Sequence, residues 1–245
     1  MNLTSYFTQW MDKLGLQEEN FHVIQKKDYP GVSLSYGPKI DAWTIIYNED
    51  WDKYHLIHKL GYVWLFKKYG ILESMKKKGI THGPIKELNE IYDTIMDAIS
   101  YFTLADMDLL FKRDLLDHEV KELRRAYAGI IPPHVPILTK IQLYIFCYLK
   151  YFKLFPEHIQ EDFTATILYF LKNIQNQIIE DSNKGPFPLT KEIFLQLHDI
   201  LDDFDPIKNT DKHGDILDYT IQIATLFPYW SEEIVIEQFN SYYGN

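Results

Sequence analysis

The hydrophobic pattern of the chain changes period twice within its first seventy residues. Apolar positions at helical spacing over about residues 4–14, "TSYFTQWMDKL", give way to short alternating runs rich in β-branched and aromatic residues. Those runs, "NFHVIQKK", "GVSLSYG" and "DAWTIIYNE", are separated by the turn formers of "DYPG" and "GPK" and read as three strands. After Tyr47 the period lengthens again. Leu56, Leu60 and Val63 recur at i, i+4 and i+7, which predicts a helix from about Glu49 to Lys68, ending near Gly70. A second long helix is predicted from about Pro84 to Phe102, opening just after "THGP".

Between Leu104 and Tyr127 charge is dense, yet Leu109, Leu116, Val120 and Leu123 keep helical spacing, so this stretch reads as a surface helix. The breaker "AGIIPPHVP", residues 128–136, then divides the chain. Beyond it, helices are predicted at roughly 136–154, 157–180, 190–203, 213–226 and 231–242, punctuated by "FP", "SNKGPFP" and "DFDPIKN". The expected class is α+β: a small, mainly antiparallel sheet from residues 20–47 packed on the 49–68 helix, followed by an all-α helical array. Two regions are expected, 1–130 and 131–245, packed together as one unit.

Composition narrows the classes of function. With 46% hydrophobic and 16% aromatic residues, the 245-residue chain can bury a sizeable core and is not disordered. Its net charge of −10 opposes a nucleic-acid partner, because such binding relies on Lys and Arg neutralising phosphates. The lone cysteine, Cys147, cannot form an internal disulfide, which suits a reducing, cytoplasmic setting. The N-terminus has no basic segment followed by an apolar one, so a signal peptide is not expected. Residues 135–155 form the most apolar run, but Lys140, Lys150 and Lys153 interrupt it, and no membrane span is expected.

Candidate chemistry centres on residues 58–62, "HKLGY". A zinc helix places two histidines four residues apart on one face, with a Glu after the first to deprotonate the metal-bound water. Here His58 is followed by Lys59, Leu60, Gly61 and Tyr62, behind the strand-like "DAWTIIYNE". Residues 88–93, "LNEIYD", add Asn89, Tyr92 and Asp93 in the next helix.

Over about residues 20–100 this arrangement resembles the zincin metallopeptidases, in particular the small gluzincin-like kind whose active helix reads "HELGH" behind a small sheet. The resemblance implies that His58, Gly61, Asn89 and Asp93 remain from that pattern. It also implies that Lys59 stands where the general base belongs, Tyr62 at the second ligand and Tyr92 at the third. Each of those replacements falls on the chemistry. A lysine cation beside a zinc position cannot accept a proton from water, and a phenol must lose a proton before it binds metal well.

The expectation is therefore a non-catalytic protein on a zincin-like scaffold, with no zinc, that acts by binding a peptide or protein partner. The alternative is a divergent metal-dependent hydrolase. His55 and His58 share a helix face, and Glu90, Asp93 and Asp97 form an acidic stripe on the following helix; together they offer zinc two imidazoles and a carboxylate.

Weaker signals read as structure. The loop from Asn209 has Asp211 and Gly214 at calcium-loop positions, but Thr220 stands where a bidentate Glu belongs, so it reads as an Asp-rich helix cap. Asp199, Asp202, Asp203 and Asp205 read as a solvated helix end, and His198 and His213 have no partner visible in the sequence. The high Tyr and Phe content suits an interface as well as a core.

Overall fold

The computed structural model describes residues 3–29, 31–37, 39–48, 53–71, 73, 86–108, 134–153, 161–205, 212–230, 233 and 236–237. The chain divides into two compact units, Met1–Gly83 and Pro84–Asn245. The breaker at 128–136 and the surface helix at 104–127 lie largely outside the described residues, as does the last predicted helix.

The first unit comprises α1 (Leu3–Lys13), strands β1 (Phe21–Gln25), β2 (Val32–Gly37) and β3 (Ala42–Tyr47), and α2 (Lys53–Lys68). Both helices end where only glycine sits easily. Gly15 has φ +64°, its N–H donates to the Asp12 carbonyl, and the Leu16 N–H reaches back to Met11 at 2.9 Å, closing a Schellman turn. Gly70, at φ +65°, donates to Lys67 in the same way.

The sheet is mixed, in the order β1-β3-β2, and this differs from the mainly antiparallel expectation. β2 pairs antiparallel with β3, from Val32 opposite Tyr47 to Gly37 opposite Ala42, whereas β1 pairs parallel with β3, Phe21 opposite Trp43 through Gln25 opposite Tyr47. The physical reason lies in the apolar content of the strands. β3 carries buried Ala42, Trp43 and Ile45, while β1 is exposed over most of its length, so β3 takes the central position and separates the two strands that precede it.

α2 packs on β2, β3 and α1. Leu56, Leu60 and Val63 are all buried, as their spacing predicted. Trp43 stacks on Phe66, with centroids 5.9 Å apart and planes 13° from parallel, and it also meets Tyr36 of β2 at 5.0 Å. Its indole N–H donates to Glu19 Oε2 at 3.2 Å, so its one polar atom is satisfied.

Among its described residues the second unit has helices joined by turns and no strand. It contains α3 (Lys86–Met107), α4 (Ile137–Tyr148) running into a π-helical turn (Leu149–Lys153), α5 (Glu161–Ser182), α6 (Lys191–Asp203) and α7 (His213–Thr225). α3 packs on α4, α7 and the π turn, α4 on α5, and α6 on α7.

The three lysines that interrupt the apolar run of α4 each have a defined partner. Lys140, with its side chain 2% exposed, pairs with Asp181 of α5 at 2.6 Å. Lys150 is buried with its ammonium 4.4 Å from the Tyr101 ring centroid and 4.8 Å from that of Phe146. Lys153 donates to the carbonyl of Asp202 at the end of α6. Among the described residues no helix is long and apolar enough to cross a membrane.

At the start of α7, the Lys212 N–H donates to Asp215 Oδ2 at 3.1 Å, and Thr220 is buried with its hydroxyl bonded to the Ile216 carbonyl at 2.8 Å. The described part of the Asp-rich loop thus works as a helix cap.

Candidate functional site

The degenerate zinc frame lies on α2, and its side chains pack against one another. His58 is 4% exposed and meets Tyr62 at 5.2 Å in an edge-on contact, with planes 79° apart. The Lys59 ammonium rests 4.9 Å from the centroid of the same Tyr62 ring. Tyr62 continues to Phe66 at 6.2 Å and so joins the aromatic seam through Trp43 to Tyr36. The residue at the second-ligand position is therefore part of the packing between helix and sheet. Gly61 is buried in the same helix, and His55 is half-buried one turn before His58.

The partners expected from the next helix belong to the second unit. On α3, Tyr92 is buried, Asp93 exposed and Asp97 half-buried, while the side chains of Asn89 and Glu90 lie outside the described residues. Among the described residues, no three His, Cys, Asp or Glu side chains stand together so as to hold a metal ion.

A second location, in the helical unit, has more of the features of a site. Tyr144 and Tyr148 of α4 and Phe152 of the π turn are spaced four apart. In a regular α-helix that spacing drifts by about 40° per step. The wider π turn reverses the drift, so Phe152 swings back toward the Tyr144 side of the helix, and it meets Tyr148 with ring centroids 5.2 Å apart and planes 28° from parallel. His198 of α6 joins the same ladder. It lies 4.9 Å from Tyr148 and 5.9 Å from Tyr144, with planes 23° and 5° from parallel.

Hydrogen bonds hold the ladder in place. The phenol of Tyr148 donates to Asp202 Oδ1 at 2.8 Å, and the phenol of Tyr144 meets His198 Nε2. Burial pushes both phenols well above their ordinary pKa of 10, aided at Tyr148 by the hydrogen bond and charge of Asp202, so both stay protonated. Burial also holds the His198 pKa below its ordinary 6.5, against the opposing charges of Asp202 and Asp199. A neutral imidazole facing a protonated phenol is assigned Nε2 as acceptor, with the ring proton on Nδ1.

The ladder forms one wall of a cavity of about 470 Å³, within the size range of ligand pockets. Leu168 and Leu171 of α5 also line it, with the amides of Gln175 and Asn176. Lys172 of α5 and Lys191 of α6 complete the lining, and among the described residues neither forms a salt bridge. The cavity thus offers flat aromatic surface, amide groups and two exposed cations.

Sequence reasoning missed this location because its parts are distant in the chain. Tyr144 and His198 are 54 residues apart. The available signal was Tyr144, Tyr148 and Phe152 at four-residue spacing in "IQLYIFCYLKYF", which reads equally well as core. Comparison with known proteins adds no relative: no protein-family model, no curated protein and no solved structure matches this chain.

Proposed function

We propose that the protein acts by binding a peptide or protein partner without cleaving it, through the aromatic-walled cavity of the helical unit. The observation that carries this reading is the ladder of Tyr144, His198, Tyr148 and Phe152, which together with Lys172 and Lys191 lines a cavity of about 470 Å³. Its chemistry favours holding over reacting. Two phenols kept protonated and an imidazole kept neutral provide hydrogen bonds and flat surface, but no activated nucleophile.

A zincin-like ancestry for the first unit fits the same reading. "DAWTIIYNE" contains β3 and "HKLGY" lies on α2, while Lys59 and Tyr62 stand where a general base and a ligand would be needed. The net charge of −10 opposes a nucleic-acid partner, and the buried Cys147 suits work in a reducing cytoplasm.

The test is to incubate the full chain with a defined peptide library, then to record by mass spectrometry both what is retained and what is cut, alongside elemental analysis. The expected result is retention of a subset of intact peptides. Cleavage with about one bound metal ion per chain, both lost in His58→Ala, would overturn the proposal in favour of a hydrolase.

A further inference from the structure

We infer that the cavity takes the C-terminal residue of a peptide whose last side chain is aromatic, with the ring against the Tyr148–Phe152 end of the ladder and the terminal carboxylate at Lys172 and Lys191. This inference rests on the binding function proposed above and names the chemistry of the occupant.

Three features of the lining converge on such a ligand. The wall is made of four near-parallel rings, and an aromatic guest gains both apolar burial and ring contact from it. The amides of Gln175 and Asn176 offer a donor and an acceptor each, as the last peptide units of a bound chain require. Among the described residues, Lys172 and Lys191 then supply the only ammonium groups in the lining.

Charge complementarity gives the direction. The chain as a whole carries −10, so two cations at one cavity form a local exception that selects a carboxylate over a neutral or cationic end. The described lining itself holds no carboxylate: Asp202 lies beside the ladder, its carboxylate accepting from Tyr148 and its backbone carbonyl from Lys153. Asp199 is exposed on α6, next to His198. A free C-terminus on an aromatic residue, captured by charge and ring together, matches this division better than an internal segment, whose backbone carries no charge.

The experiment titrates fluorescently labelled decapeptides into the full chain and reads anisotropy. One peptide ends in Phe with a free carboxylate, one in Phe-amide and one in Ala with a free carboxylate. The free Phe peptide should bind at least about tenfold more tightly than either of the others, and its affinity should fall with added salt. Lys172→Gln combined with Lys191→Gln should reduce binding about tenfold, while leaving the residual preference for Phe over Ala.

Leu168→Trp should block binding by filling the cavity, and the 52% exposure of Leu168 leaves room for the larger ring without disturbing the core. Should that variant unfold, the double variant at the two surface lysines still decides the matter. N-acetyl-phenylalanine should compete only weakly; if it binds as tightly as the decapeptide, a small aryl acid is the ligand and the peptide assignment is overturned. Equal binding of acid and amide, no binding of the Phe peptide, or binding untouched by all three substitutions would also overturn it. Library peptides retained intact without aromatic C-termini would sink this inference while leaving the binding function standing; cleavage of the library would sink both.

Discussion

His198 and Tyr148, fifty residues apart in sequence, stack with ring centroids 4.9 Å apart and planes 23° from parallel. That contact joins α6 to the end of α4 and turns two helices into one aromatic wall. Each ring is held by further bonds, His198 Nε2 to the Tyr144 phenol and Tyr148 to Asp202. The wall is therefore set before any ligand arrives, which reduces the ordering that binding must do.

The acid response of this wall follows from the sign of the His198 shift. Its folded pKa lies below the ordinary 6.5, so on acidification the unfolded chain takes up the proton first. Stability is full above 6.5 and falls as pH drops from there through the folded value. Urea unfolding of wild type and His198→Phe, compared from about pH 7 to about pH 5, should show a shallower loss in the variant, which keeps the stack but cannot titrate. Identical slopes would show that His198 is as exposed folded as unfolded.

Lys140 and Asp181 predict an asymmetry between two substitutions. The Lys140 side chain is 2% exposed and that of Asp181 29%, so removing the carboxylate strands a buried cation, whereas removing the cation leaves an acid that still meets Lys184 at 3.0 Å. Asp181→Ala should destabilise by about 3 kcal/mol, and Lys140→Met by less than about 1 kcal/mol or not at all. Lys140 and Lys184 also hold the Asp181 pKa below its ordinary 3.8, so its contribution is present above that value and is lost as pH falls through the folded pKa. Equal losses on denaturant titration of the two variants would contradict the asymmetry.

On the first unit, Leu60 is fully buried and Leu56 nearly so, on one face of α2. Leu56→Ala and Leu60→Ala should each cost about 2–5 kcal/mol in thermal or urea unfolding. A negligible shift in both midpoints would mean that this face does not carry the core.

Gly15 isolates a backbone effect. It sits at φ +64° with no atom within 4 Å of where a Cβ would lie, so Ala there meets strain but no clash. Gly15→Ala should cost about 1 kcal/mol, and Gly15→Asn less, since Asn visits this region more readily. Equal stability of all three chains would remove the Schellman turn from the account of α1.

The architecture was largely legible in the sequence because its signals are local. Period-two runs gave β1, β2 and β3 within a few residues, and Leu56, Leu60 and Val63 marked the buried face of α2. Strand order was not legible: turn signals at "DYPG" and "GPK" suggested neighbouring strands in sequence, whereas the buried character of β3 set it between them. The three lysines of α4 show the same limit. Their sequence says only that an apolar run is interrupted, while Asp181, Tyr101 and the Asp202 carbonyl, all distant in the chain, decide what becomes of each charge. The ladder was hidden for a further reason, since nothing in "CYLKYFK" announces a π turn, and without one Phe152 drifts about 80° around the helix from Tyr144.

Hydrogen–deuterium exchange of the full chain, with and without a saturating retained peptide, tests the binding function of the second unit most directly. The result expected is slowed exchange over residues 144–153, 168–176 and 191–198, with α2 unchanged. Protection confined to residues 54–68, around His58 and Tyr62, would contradict it and place the site on the zinc-like frame instead.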